Sequence, residues 1–196
     1  MYITNYRITM QPNSMADSIK KFAIDLNNDA PKPSRFSFKE FMGNSKLEHY
    51  QSIRGGTFFE KVLKDMIRVS TNCTLINRKF AKGKQIDLLF TNKLVKTAYY
   101  FEVRTNIDND TEKTPATAYK IEEVRKHISS LSEYSGYTVV YGILCPTNLS
   151  ESGITYGKNI NVYSLSDFLG FIGTPVSELS DIVKSIRELY SDCLKQ

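Results

Sequence analysis

Tryptophan is missing from these 196 residues, and cysteine is scarce: Cys73, Cys145 and Cys193 lie far apart and are odd in number. No CxxC pair occurs, so neither a zinc site nor a disulfide framework is suggested, and the thiols read as reduced and mostly buried. No apolar run approaches the roughly 20 residues of a membrane-spanning helix. The first residues, Met-Tyr-Ile-Thr-Asn-Tyr-Arg, lack the charged start and apolar core of a secretion signal. The expectation is therefore a cytoplasmic protein with no membrane partner. A Walker loop, a nucleophile elbow, internal repeats and low-complexity tracts are also missing, which sets aside P-loop ATPases, serine hydrolases and solenoids. The only histidines, His49 and His127, lack metal-ligand spacing and read as surface or packing residues.

What is present fits one domain, residues 1–196, with a full core. The hydrophobic fraction of 41% and charged fraction of 24% are ordinary for a globular chain, and no composition break argues for two domains. Twelve Tyr and eleven Phe supply aromatic bulk for a core or for stacking on bases. A net charge of +5 suits a polyanionic partner.

Apolar residues at helical spacing (Ile19, Phe22, Ala23, Leu26) predict a helix over 16–26, closed by Asn27-Asn28-Asp29 and the prolines beyond. Ser37 and Glu40 have capping-box spacing for a short helix through Met42. Helices are expected over 46–53 and 57–69, hinged at Gly55-Gly56, the second with a buried stripe of Phe58, Val62, Met66 and Val69. Strands are expected over 73–80, 85–91 and 96–103. A long amphipathic helix over 115–134 turns Ile121, Val124, Ile128 and Leu131 inward. A buried strand over 137–144, a short strand over 159–163 and helices over 166–171 and 177–194 complete the chain. This order predicts an α/β fold whose central mixed sheet is flanked by helices on both faces.

Two of the expected strands each carry one acid inside an apolar run. Gln-Ile-Asp-Leu-Leu-Phe holds Asp87, and Tyr-Tyr-Phe-Glu-Val-Arg holds Glu102. A turn at Asn92-Lys93 lets the two runs pair as a hairpin. An unpartnered charge in an apolar strand costs several kcal/mol to desolvate (roughly 2–7 even for a neutral polar group), so such an acid needs a reason. A divalent cation between the two carboxylates would be one, since Mg²⁺ is commonly held by one or two carboxylates with water and substrate phosphate. Glu102 and Arg104, two apart on a strand, emerge on the same face. There an acid and a cation can hold metal and scissile phosphate together. Glu60, on the helix before, would sit at the edge of such a site. Lys84 and Lys120 could also lend a cation.

This pattern resembles the PD-(D/E)xK nuclease superfamily, and most closely type II restriction endonucleases, over about residues 54–145. The family has an acid on one strand, Glu-x-Lys on the next and often a Glu on a preceding helix. Asp87, Glu102 and Glu60 match these, while Arg104 stands where the family usually has Lys. The tail Thr105-Asn106 and Asp110-Thr111-Glu112-Lys113 is also similar to some restriction enzymes. The resemblance implies a restriction-endonuclease-like core and catalysis by Asp87, Glu102, Arg104 and Glu60. It further implies Mg²⁺, or Mn²⁺ in its place, held by Asp87, Glu102 and the backbone carbonyl of Val103. Arg keeps the positive charge of Lys but cannot serve as a base, so the departure bears on turnover.

DNA contacts are expected from the basic cluster Lys79, Lys82 and Lys84, placed to track the backbone. Asn106, Asp108, Asn109, Thr111 and Lys113 follow the second acid strand, and Asn and Lys there can read base edges or simply cap the next helix. The leading expectation is a Mg²⁺-dependent type II endonuclease. It would cut double-stranded DNA at a short palindromic site as a two-fold homodimer, each protomer cutting one strand. The alternatives are a resolvase or repair nuclease of the same superfamily, and a DNA-binding module with impaired catalysis.

Overall fold

The computed structural model describes residues 41–42, 49–77, 85–105, 107, 113–157 and 159–194. The expected helix over 16–26, the Ser37–Glu40 capping box, the basic cluster Lys79, Lys82 and Lys84, and Asn106, Asp108, Asn109 and Thr111 lie outside those residues.

Helix α1 (His49–Val69) runs unbroken through Gly55-Gly56, where the sequence led us to expect a hinge. Each glycine costs a helix about 1 kcal/mol relative to Ala. Downstream, Phe58, Phe59, Val62, Leu63, Met66 and Ile67 are all buried. Burying one such side chain is worth about 1.5–3 kcal/mol, so that stripe outweighs the two glycines. Thr57 thus lies in the helix interior. Val69, expected in the stripe, is instead exposed at the helix end.

Six strands among the described residues form one mixed sheet in the order β1-β2-β3-β4-β6-β5. They are β1 (Cys73–Leu75), β2 (Leu88–Asn92), β3 (Thr97–Val103), β4 (Thr138–Leu144), β5 (Ile154–Tyr156) and β6 (Ile160–Tyr163). The first three are an antiparallel meander, as the turn at residues 93–96 dictates. Strand β3 then pairs in parallel with β4, and β4 with β6. The β3–β4 step requires a crossover, which helix α2 (Lys113–Ser130) supplies. Past α2 the chain tightens into a 3₁₀ turn at Ser132–Tyr134, so the expected helix through 134 ends four residues early.

Strand alternation divides the core into two layers. Leu88, Phe90, Tyr99, Phe101 and Val103 face one side. There they pack with α1, with α3 (Leu165–Ile172) and with α4 (Leu179–Leu194). Phe101, Tyr99 and Phe171 stack in that layer, with centroid separations of 4.8–5.8 Å from Phe171. Leu89, Ala98 and Tyr100 face the other side, under Ile121, Val124 and Ile128 of α2. No helix among the described residues is long and apolar enough to cross a membrane.

Strand β5 went unforeseen because three residues bounded by Gly153 and Gly157, both at positive φ, carry too little periodicity to read. Helix α3 begins at Ser164, whose side chain and Asp167 cap each other reciprocally.

Candidate active site

Register brings the two acids together. Leu88 opposes Phe101 in the antiparallel β2–β3 pair. Asp87 immediately precedes β2 and Glu102 follows Phe101, so the end of this pair brings the two acids near each other. Glu102 shares the face of Tyr100, on the α2 side, while Asp87 lies in the bend just before β2, close enough to act electrostatically on both Glu102 and Glu60. Asp87 Oδ2 also accepts a hydrogen bond of 3.1 Å from the backbone N–H of Val103. A strand residue points its N–H and C=O to the same side, so the Val103 carbonyl faces the strand of Asp87 as well.

Glu102 is only 2% exposed, and both of its oxygens are engaged. The Tyr100 hydroxyl donates to Oε1 at 2.7 Å, and Lys120 Nζ donates to Oε2 at 2.6 Å. Lys120 comes from α2, one residue before the buried Ile121. The sheet-facing stripe of that helix runs Thr117, Lys120, Ile121, Val124, Ile128. It becomes polar where β3 becomes polar, and this match of polar ends places Lys120 over Glu102. Thr117 in turn meets Arg104, at 3.4 Å from its guanidinium. Arg104 follows the last residue of β3, is exposed, and donates its backbone N–H to Leu144. So Glu102 and Arg104 share the α2 side, but the cation touching Glu102 is Lys120.

Glu60 lies in α1, within the opposite layer. It is half-buried and accepts from Lys64 at 3.4 Å, one helical turn on. Burial, then the charge of Asp87, raise the Glu60 pKa above the usual carboxylate range, with Lys64 opposing and Glu102 adding a little. Burial and then Asp87 likewise raise the pKa of Glu102, against the pull of Lys120 and Tyr100. The Tyr100 phenol is pushed well up by burial and by Glu102, which keeps it a donor. Three acids therefore share one electrostatic neighbourhood at the end of the sheet where β2 begins.

The donor set is oxygen only: the Asp87 and Glu102 carboxylates and the Val103 carbonyl. It suits a hard divalent ion such as Mg²⁺. Beside burial, the charge of Asp87 raises the pKa of both Glu60 and Glu102, and a dication would relieve that repulsion. Yet no group of three or more His, Cys, Asp or Glu side chains among the described residues is arranged to hold a metal ion. Glu60 is thus a neighbour in charge, not a third ligand in place. Of the DNA-contact candidates only Lys113 falls in a described element, opening α2.

Tyr100 and Thr117 were not foreseen from sequence, and Lys120 was expected only as a residue that could lend a cation. The usable signal was its position beside Ile121, on the inward stripe of a helix that must cover β3. A cavity of about 550 Å³ lies elsewhere, against α4, and Glu188 is the one acid among the described residues that line it. It brings no second carboxylate to bear and is not a rival site. Compared with known protein families, curated proteins and solved structures, the chain matches none.

Proposed function

We propose that this protein is a Mg²⁺-dependent endonuclease with a restriction-endonuclease-like core, hydrolysing phosphodiester bonds of double-stranded DNA at a short, specific, palindromic site. The observation that supports this reading is the closeness of Asp87 and Glu102 at the end of the β2–β3 pair, with Lys120 on Glu102 and Glu60 within electrostatic reach. The site also lies at the carboxyl end of β3, one of the parallel strands, where open α/β sheets characteristically bind ligands.

Asp87, Glu102 and the Val103 carbonyl would hold the ion. When bound, a divalent cation lowers the pKa of a water molecule and offsets charge developing on phosphorus. Asp87 is anchored by the Val103 N–H, which fixes its Oδ2. Tyr100 fixes the Glu102 carboxylate from beneath. Arg104, at the rim beside Thr117, is placed to hold a backbone phosphate. Two-fold related protomers would each cut one strand.

A second reading, a DNA-binding module with impaired turnover, is favoured by two observations: both oxygens of Glu102 are engaged, and Arg stands at position 104. Incubating the protein with phage DNA and Mg²⁺ or Mn²⁺ separates the readings. Discrete fragments support the site-specific enzyme. Cleavage confined to branched DNA supports a resolvase of the same superfamily, and salt-sensitive binding to intact DNA supports the module.

A further inference from the structure

Lys120 already holds one of the two oxygens of Glu102. Its Nζ lies 2.6 Å from Glu102 Oε2, while Tyr100 occupies Oε1 at 2.7 Å. Glu102 is 3% exposed at its side chain and Lys120 23%, so the ammonium is the outer partner of the pair. A second cation approaching Glu102 from the open side meets Lys120 first. We propose that Lys120 and the divalent cation compete for Glu102, so that metal binding releases Lys120 to hold a phosphate of the bound strand.

The inference rests on the metal-site reading above and adds a coupling that reading does not contain. A free Lys ammonium is a compact point charge on a flexible stem, suited to a phosphate oxygen. Metal and DNA then strengthen each other: the metal frees the lysine, and phosphate gives the lysine a new partner. Arg104 does not stand in this exchange, because its side-chain contact is Thr117.

The test is Mn²⁺ binding to the metal-free, full-length protein, measured by titration calorimetry for wild type, Lys120→Met, Lys120→Gln and Arg104→Met. A neighbouring cation depresses the proton affinity of a carboxylate by about 1–3 log units. Removing Lys120 is therefore expected to tighten Mn²⁺ binding roughly tenfold, at the low end of that range. Arg104→Met should shift it less. The two Lys120 variants guard against one failing to fold, which circular dichroism reports. In parallel, the gain in duplex affinity from EDTA to Ca²⁺ buffer, read by fluorescence anisotropy, should shrink in both. Unchanged or weaker Mn²⁺ binding in the Lys120 variants overturns the proposal, as does an undiminished Ca²⁺-dependent gain in duplex affinity. Both expected shifts, in a wild-type protein that leaves phage DNA intact, uphold the competition and remove the nuclease reading. No Mn²⁺ binding by wild type overturns both.

Discussion

Replacing Glu102 by Gln leaves Tyr100 a neutral acceptor and takes one negative charge from the cluster. Glu102→Gln and Asp87→Asn are expected to lower DNA cleavage by at least about 10²-fold, the scale of losing one element of a preorganised site. Their folds should persist, as thermal melts would show. Lys120→Ala is expected to cost more activity than Arg104→Ala, since only Lys120 touches an acid of the site. The raised acids also set a pH dependence. Glu60 has a folded pKa above its ordinary value of 4.5, chiefly through burial and then through Asp87. Its stabilising contribution is full below that ordinary value and is lost as pH climbs through the folded pKa. Glu102 acts in the same sense, with Lys120 and Tyr100 opposing. The metal-free protein should therefore lose stability through these groups as pH rises above 4.5 and through their folded pKa values. In Glu60→Gln the fall in melting temperature over that interval should be smaller. An equal or steeper fall would contradict the electrostatic cluster.

Among the elements, β4 and β6 meet most closely at Gly142, where a Cβ would collide with the backbone carbonyl oxygen of Asn161. Gly142→Ala is expected to destabilise the protein by about 1–3 kcal/mol, as overpacking typically does. Urea denaturation measures this, and the acid strands would be left untouched. The same scale shows what the sequence could reveal. Strands β2 and β3 were legible because each is a continuous apolar run, and α2 because Ile121, Val124 and Ile128 recur at helical spacing. Asp87 and Glu102 stood out for the same reason, as charges where apolar residues belong. The unbroken α1 was not legible. Local propensity reads Gly55-Gly56 as a break, while the packing that overrides it is long-range. Nor could spacing show that Lys120 reaches Glu102, a contact 18 residues apart that exists only once the crossover helix lies on the sheet.

For the whole molecule, the net charge of +5 is modest, so the proposed DNA binding would depend on where the positive residues gather. Phosphate neutralisation releases counterions, so log affinity should fall with log salt by about 0.9 for each phosphate contacted. A palindromic target also requires two-fold assembly, which light scattering with and without duplex would register as a dimer on DNA. The central claim is that Asp87 and Glu102 form one metal-dependent centre for cutting DNA. The most direct measurement is gel analysis of phage DNA after incubation with Mg²⁺, comparing wild type with Asp87→Asn. The account predicts discrete fragments with wild type, none in EDTA, and none with the variant. Fragments that persist undiminished with Asp87→Asn, or DNA left intact by wild type in both Mg²⁺ and Mn²⁺, would contradict it.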